Sequence, residues 1–516
     1  MRRKRLKITL AVLLTPLLLL LLCLLAERIR GHVSLANYRR DLIAKGEKLS
    51  AKDLASNIPL SQNGAPELLG ASTQLLNGEI LPNHYPPRMR LLPSGHAIVC
   101  FREDPFRREK TTNHWEQLAA DLKTNDVTLA QIRTALTKPF FDNHVDLSQG
   151  AMTFPYLVVP KNLTYWFGSR IQLALHESRP RDAVEDLVAQ IRLTRVLAED
   201  HIIISELVRL TIAAIARNDT WEALQADGWT DQDLLRLQQE WENIDFLSNL
   251  ARTFQGEAVF GMSAFDQMRQ SNSDAVSAFF GLPGSIGGPS RSKVEKAIRD
   301  LPAGDQIADF VNEQIYCRVW RFAWIDQNER KYLNGMQHLL TITRSAVTNK
   351  SFAFAKNRIS DVTEQAVNKG LYDNLRFPDL ENVLITVSGT IKRTMRAETE
   401  RSMVLCAIAL KRYILRHGKP PETLDVLIPE FLPSIPIDFM DGNPMKYHLN
   451  TDGTFTLYSV GDDGQDNGGD SAPITPKESK SLLPAPVPEW NRKDVVWPLP
   501  ATPDEIDAYR KSSHDE

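Results

Sequence analysis

Apolar residues form one long run near the start of the chain, and this run is the clearest feature of the hydrophobic pattern. Residues 8–26 are almost entirely apolar, five basic residues precede them within residues 1–7, and Glu27 and Arg28 end the run. As a helix, such a run rises about 28 Å at about 1.5 Å per residue, close to the roughly 30 Å hydrocarbon core of a bilayer. The pattern therefore predicts one transmembrane helix over residues 8–26.

The basic residues before this run predict its orientation. Lysine- and arginine-rich flanks stay cytoplasmic, so the chain from Arg28 onward is expected on the outer side of a bacterial inner membrane, in the periplasm. A cleavable signal peptide is disfavoured because Leu24–Ala26 lacks a small residue at the third-last position before a cleavage site. Lipidation of Cys23 is disfavoured because Leu22 precedes it where a small residue is required. We expect an uncleaved signal-anchor.

Apolar positions recur at helical spacing from about residue 113, which predicts an α-helical domain. The clearest pair of helices covers residues 171–197 with a turn at Ser178–Pro180, and a further helix starts at residue 202. Thr230–Asp233 is a variant capping box, with Asp in place of Glu or Gln, that opens another helix. The short turns favour a stack of α-hairpins like a tetratricopeptide array, although the chain sustains no repeat of about 34 residues.

Two segments rich in glycine or proline interrupt this pattern. Residues 281–290 hold four glycines and two prolines and are predicted to form a hinge or an exposed loop, with helices resuming from residue 293. Residues 472–503 carry eight prolines, which exclude a regular helix or a central strand. This tail is either a polyproline ligand or an extended arm wrapped on its own domain and pinned by Trp490 and Trp497.

A hairpin and an acidic, glycine-rich loop follow a helix predicted over residues 398–417. Residues alternate between apolar and polar in Met445–Leu449 and Phe455–Val460, and the turn between them contains Asp452–Gly453, which predicts a β-hairpin. The next segment, Gly461–Asp470, contains five Asp or Asn residues among four glycines. The sequence therefore predicts a small α+β module that ends in an oxygen-rich loop.

This order of elements resembles the C-terminal part of the major pseudopilin of type II secretion systems. The resemblance covers residues 397–470, and the matching residues are Tyr413, Gly418, Pro421, Asp441–Pro444, Tyr447 and Tyr458–Gly464. It implies a module whose loop binds calcium. The chain departs from the family where Met440–Gly442 replaces a Trp-Gly pair, and its N terminus has no prepilin cleavage pattern, so we do not expect a polymerising pseudopilin. The whole layout also resembles membrane-anchored bacterial envelope proteins of no known activity.

The acidic loop is chemically suited to a calcium ion. Calcium takes about six to eight oxygen ligands in flexible geometry. Asp463, Asp466 and Asp470 are the predicted carboxylate ligands, with Asp462 and Asn467 as supplements. An EF-hand is excluded, because the twelfth position counted from Asp463 is Ile474 instead of a glutamate. The alternative is a solvated loop that holds no ion.

Composition and motifs narrow the functional classes. A formal net charge of −3 gives no bulk attraction to nucleic acid. Four cysteines are too few for a disulfide framework, although one Cys100–Cys317 bridge remains open. The aromatic row Tyr316–Trp324 is interpreted as helix core. The histidines are scattered singly, and the chain lacks a nucleophile elbow, a zinc-protease motif, a phosphate loop and a dinucleotide fingerprint, so no reaction is predicted.

These observations combine into a mainly α protein with a membrane anchor. The predicted segments are a cytoplasmic tip and transmembrane anchor (1–30), a stalk and linker (31–104), an α-helical domain (105–395), a pseudopilin-like α+β module (396–471) and a Pro-rich tail (472–516). The predicted function is extracytoplasmic interaction or scaffolding, with the membrane contacted through residues 8–26, protein partners that the sequence does not identify, and a structural calcium. The alternatives are an accessory component of a type II secretion-like system and an unrecognised envelope hydrolase.

Overall fold

The architecture is mainly α-helical, as the sequence predicts. The residues described by the computed structural model are 2–75, 85–108, 111–149, 154–270, 315–367, 371–377, 380–474 and 489–514. In the first helix, side chains are described from Leu14 onward. Over these ranges the strands form small antiparallel sheets. The glycine- and proline-rich segment at residues 281–290 and the helices expected between residues 293 and 314 lie outside them.

The helices and strands follow one another in a fixed chain order. The helices are α1 (Arg2–Ala44), α2 (Ala51–Leu54), α3 (Ala65–Ser72), α4 (Trp115–Thr124), α5 (Asp126–Ala135), α6 (Val158–His176), α7 (Pro180–Leu193), α8 (Ile203–Leu224), α9 (Asp231–Glu242), α10 (Leu250–Gln270), α11 (Cys317–Ala323), α12 (Ile325–Asn349), α13 (Ala353–Val367), α14 (Leu371–Arg376), α15 (Leu380–His417) and α16 (Pro503–His514). The strands are β1 (Arg90–Leu91), β2 (Ala97–Ile98), β3 (Phe106–Arg108), β4 (Thr111–Asn113), β5 (Lys446–Leu449), β6 (Phe455–Ser459) and β7 (Val495–Val496).

Helices α6 and α7 form the helical hairpin that the sequence predicts. Its turn contains Ser178 with a positive φ of 58°, and the Arg179 N–H donates to the Ala174 carbonyl oxygen at 2.8 Å. Pro180 is the first residue of α7, where a missing N–H leaves no helical hydrogen bond unmade. Helix α8 packs against both α6 and α7. These three consecutive helices form the centre of the helical body.

The predicted capping box at the start of α9 is confirmed. The Thr230 hydroxyl accepts a hydrogen bond from the Asp233 N–H at 3.1 Å, and the Asp233 carboxylate accepts one from the Thr230 N–H at 3.1 Å. Two backbone amides that the helix itself leaves unpaired are satisfied in this way. Aspartate therefore fills the role that glutamate or glutamine usually has in this motif.

Helix α15 crosses two hydrophobic cores. Its first half places Val387 and Ile391 in a core with α1, α10 and α12, and its second half places Val404 and Ile408 in a core with α7, α8 and α9. The helix ends at His417, as predicted, and the next residue is a glycine with a φ of 78°. The boundary expected between residues 395 and 396 therefore falls within one continuous helix.

The second half of α1 packs against the helical body. Leu35 and Leu42 are buried, and α1 lies along α12. Glu329 of α12, whose side chain is fully buried, accepts hydrogen bonds from Arg39 of α1 and Arg269 of α10. The predicted stalk and linker (31–104) thus supplies side chains to the core at its start.

The C-terminal tail wraps on its own domain over residues 489–514. Strand β7 pairs with β6, and the Trp497 N–H donates to the Leu457 carbonyl oxygen at 2.8 Å. The Trp490 indole Nε1 donates to the Glu400 carboxylate at 2.8 Å. These contacts favour the extended arm over the polyproline ligand for the described part of the tail.

The structure shows whether the Cys100–Cys317 bridge forms and whether the aromatic row near residue 320 is buried. The cysteines form no disulfide bond. Cys100 and Cys317 lie in different apolar clusters, so the bridge left open by the sequence is not formed. Trp320 and Trp324 are buried, as the core interpretation predicts, whereas Phe322 is 42% exposed. Residues two apart point to opposite sides of a helix, which explains the difference.

Candidate functional site

The acidic loop leaves a β-hairpin that forms as predicted. Strands β5 and β6 are antiparallel, with Tyr447 opposite Leu457. The Asp452 Oδ1 accepts the Thr454 N–H at 2.9 Å and closes the turn. Gly453 has a φ of 85°, a conformation that glycine adopts without a side-chain clash. Strand β6 then leads directly into the loop.

Asp462, the first acidic residue of the loop, binds the cationic side of α15. Its carboxylate accepts hydrogen bonds from Lys392 at 2.8 Å and from the Arg396 Nε at 2.9 Å. Partial burial raises the pKa of Asp462, but these two cations outweigh it and hold that pKa below its ordinary value. The side chain therefore joins the loop to the long helix.

Asp463 and Asp466 organise the loop from within. The Asp463 Oδ1 accepts the Gln465 N–H at 2.9 Å. The Asp466 Oδ1 accepts the Tyr458 hydroxyl at 2.9 Å and the Gly468 N–H at 3.0 Å. Burial and the neighbouring Asp466 carboxylate raise the pKa of Tyr458. Each carboxylate thus has partners in its own neighbourhood.

Asn467 and Asp470, the remaining two predicted ligands, have separate hydrogen-bond partners. The Asp494 carboxylate binds the backbone of the loop. The Asn467 side-chain amide donates to a backbone carbonyl oxygen at 3.0 Å, and the Asp470 Oδ2 accepts the Lys493 ammonium at 2.7 Å. Buried Asp494 accepts the N–H groups of Asn467, Gly469 and Asp470. Sequence reasoning missed Asp494 because it lies within the Pro-rich tail, and no local pattern assigns it to the loop.

The predicted calcium ligands have the right chemistry but separate hydrogen-bond partners. Carboxylate and amide oxygens suit calcium. Among the side chains that the structure describes, no three from His, Cys, Asp and Glu are grouped closely enough to hold a metal ion. Calcium binding here would require carboxylates to exchange protein partners for the ion, and it stays a prediction.

Two of the residues that carry the pseudopilin resemblance, Tyr447 and Pro421, contact each other beside the hairpin. The Tyr447 hydroxyl donates to the Pro421 carbonyl oxygen at 2.6 Å. The Tyr413 ring packs against His417 and Phe431, with ring centroids 4.2 and 5.7 Å away. Gly442, with a φ of 85°, turns the chain ahead of β5. The motif thus joins the end of α15 to the hairpin.

The first half of α1 presents an apolar surface to solvent. Leucines from Leu14 to Leu25 are between 43% and 58% exposed, apart from the half-buried Leu24. The helix continues without a break into the half that packs on α12. Over the described residues, none of the helices combines the length and apolar character needed to cross a lipid bilayer.

Asp200 centres a buried polar group that the sequence did not single out. It accepts hydrogen bonds from the Tyr156 hydroxyl at 2.9 Å, the Ser205 hydroxyl at 2.6 Å and the Asn143 amide at 2.8 Å. Burial raises the pKa of Asp200 to about 6 in spite of these hydrogen bonds. Next to it, burial lowers the pKa of His201 to about 4. The group can hold a proton but packs within the core.

A second buried carboxylate, Glu222, lies beside Cys100. Its Oε1 accepts the N–H groups of Met89 at 2.8 Å and Cys100 at 2.9 Å. Burial raises the pKa of Glu222 to about 8. One helical turn away, Asp219 accepts hydrogen bonds from Arg88 and Gln190. No sequence pattern indicates this network, because its partners come from segments far apart in the chain.

Comparison of the chain with protein-family models, with curated proteins and with solved structures gives no match. The fold and the sites described above define a mainly α protein with an apolar N-terminal helix and a C-terminal hairpin module.

Proposed function

We propose that the chain is a membrane-anchored protein whose helical body lies outside the cytoplasm and serves as a scaffold for protein partners. The observation that carries the proposal is the change in solvent exposure along α1. Apart from Leu24, leucines from Leu14 to Leu25 are exposed to solvent, whereas Leu35 and Leu42 are buried in the body. An exposed helical surface of this apolar character is favourable in lipid and unfavourable in water.

The orientation follows from charge. Five basic residues precede the apolar run within residues 1–7, and such residues stay on the cytoplasmic side. The body, which begins where α1 meets α12, would then stand on the opposite side. Its stacked helices offer extended surfaces of the kind that bind proteins.

Insertion of lysine into the apolar run tests the anchor. Leu18 and Leu21 are 58% and 54% exposed, so a Leu18→Lys/Leu21→Lys variant should keep its fold in the body. Each lysine at the centre of a membrane helix costs about 3 kcal/mol of insertion free energy. We expect the unchanged chain to resist alkaline extraction from membranes and the variant to be released.

The matched control is Ile43→Lys, which places a lysine at a 62%-exposed position of α1 beyond the apolar run. It should remain in the membrane fraction. If the unchanged chain is extracted, the anchor is wrong. Protease added to spheroplasts should digest the body, and protection of the body would reverse the proposed topology.

A structural calcium in the acidic loop is part of the proposal. Titration calorimetry of the full-length chain in detergent should give a binding heat that is absent in an Asp463→Ala/Asp466→Ala variant. Asp452→Ala removes an exposed carboxylate of the hairpin turn outside the loop and should leave the heat unchanged. Absence of heat with millimolar calcium would remove the ion from the proposal.

An accessory role in a type II secretion-like system is the second candidate. It is supported by the contact between Tyr447 and Pro421, which joins two of the residues that carry the pseudopilin resemblance. Cross-linking in intact cells followed by purification distinguishes the candidates. Secretion components among the cross-linked proteins favour the accessory role, whereas other envelope proteins favour the general scaffold.

A further inference from the structure

Two exposed aromatic side chains lie where the apolar part of α1 meets the body. Phe322 and Tyr372 are 42% and 51% exposed. Phe322 belongs to α11, and Tyr372 belongs to α14. We call these two residues the collar. Large apolar side chains grouped on a surface mark a contact with another apolar phase.

Contacts with α1 place the collar at the level where the apolar run ends. Leu24, near the end of the run, packs against the core that contains α11. The Arg28 guanidinium lies over the Phe322 ring, 4.8 Å from its centroid. The Gln327 amide donates to the Glu27 carbonyl oxygen at 2.9 Å. Helix α11 therefore adjoins the last turns of the apolar run.

Tyr372 is held at the same level from the other side. Its ring meets the Trp324 ring edge-on, with centroids 6.2 Å apart. The Arg376 guanidinium lies 5.2 Å from the centroid of the Tyr372 ring and 3.8 Å from the Glu27 carboxylate. Two segments separated in sequence thus bring aromatic side chains to one end of the body.

We propose that the collar lies in the headgroup region of the same bilayer that α1 enters, so that the body rests on the membrane surface. The inference rests on the proposed anchor. Aromatic side chains are enriched at the boundary between lipid and water, and basic side chains there reach anionic headgroups. The exposed Arg28 and Arg30 supply that positive charge beside the collar. Continuity of the collar with the exposed leucines of α1 favours lipid over a protein partner.

Site-specific fluorescence in vesicles tests the contact. In the full-length chain with Cys23→Ser, the remaining cysteines are buried and should not react with a label. A single new cysteine at Phe322 or Tyr372 can therefore carry an environment-sensitive label. Labels at Leu20→Cys and Val426→Cys report on the anchor and on a 47%-exposed position in the C-terminal module. The vesicles contain phosphatidylcholine and phosphatidylglycerol, with nitroxide on the headgroup or deep in the acyl chain.

We expect the labels at 322 and 372 to shift to shorter wavelength and to be quenched by the headgroup nitroxide, while the label at 426 is unaffected. The label at 20 should be quenched by the deep nitroxide. If 322 and 372 behave like 426 while 20 is quenched, the collar contact is wrong and the anchor stands. A shift at 322 and 372 without lipid quenching assigns the collar to a protein contact and also overturns the inference. Without quenching at 20, anchor and collar contact both fail.

Discussion

At the scale of single residues, buried carboxylates link the folded state to pH. Glu222 is fully buried, and its pKa of about 8 lies far above the value of 4.5 for an exposed glutamate. Between these two values the unfolded chain is ionised while the folded chain retains the proton. Stability contributed by this group is therefore present below about pH 4.5 and is lost as pH rises towards 8.

Replacing Glu222 with glutamine should remove this pH dependence. The glutamine oxygen can accept the same N–H groups of Met89 and Cys100. When pH rises from 5 to 8, the free energy of unfolding of the unchanged chain should fall by about 2–4 kcal/mol more than that of the variant. Urea denaturation at both pH values measures this difference. An identical loss of stability in both proteins would show that Glu222 does not titrate in this range.

A glycine in α10 permits close contact with a neighbouring loop. A β-carbon at Gly256 would lie 1.9 Å from the His201 carbonyl oxygen, so Gly256→Ala should reduce the free energy of unfolding by about 1–3 kcal/mol. Gly389 lies within α15, and a β-carbon there would meet no atom within 4 Å. Gly389→Ala should instead stabilise the protein by up to about 1 kcal/mol. Urea midpoints test both, and equal effects would contradict the close contact.

Sequence patterns predicted the contacts of those residues whose partners are close in the chain. The Thr230 cap and the turn at Asp452–Gly453 each depend on partners within a few residues, and both form as expected. Asp494 and Glu222 bind groups from distant segments, so their roles follow from the tertiary fold alone. Of the candidate site, the sequence located the loop but did not reveal which partner each carboxylate would take.

At the scale of elements, α1 is held to the body by both apolar and ionic contacts. Polar residues around Leu35 and Leu42 predict a stalk, yet both leucines are buried, and Leu35 lies in the core that contains α12. The buried Glu329 carboxylate pairs with Arg39 and Arg269. A short apolar stripe within a charged helix is a weak sequence signal, which is why the packing was not predicted.

Loss of the Glu329 charge should weaken the attachment of α1. Glu329→Gln removes the fully buried carboxylate that Arg39 and Arg269 share, and we expect the free energy of unfolding to fall by about 3 kcal/mol. Hydrogen exchange in residues 35–44 should also become faster. Glu430→Gln, which removes a pair between exposed side chains, is the control and should cost less than about 1 kcal/mol. Equal losses would exclude a special role for the buried pair.

At the scale of the whole molecule, α15 couples the helical body to the C-terminal module. Its side chains enter the core with α12 at one end and the core with α9 at the other. The expected division at residue 396 follows the order of elements that resembles the pseudopilin module, whereas both cores include parts of the same helix. The two cores should therefore unfold together.

Ile391→Ala tests this cooperativity. The residue is fully buried, so its truncation should cost about 2–4 kcal/mol. Hydrogen-exchange mass spectrometry should show the slowest amides of α12 and α9 losing protection by the same factor. Ile385→Ala, at a 38%-exposed position of the same helix, should leave the exchange of the slowest amides in α12 and in α9 unchanged. Faster exchange in α12 alone would identify two independent folding units.

The continuous course of α1 has a mechanical consequence for an anchored protein. Residues 2–44 form one helix with no joint between its exposed leucines and its buried half. A membrane helix tilts when its apolar length exceeds the thickness of the bilayer. Because α1 packs along α12, such a tilt would be passed on to the body, and local membrane thickness would set the angle at which its surfaces face a partner.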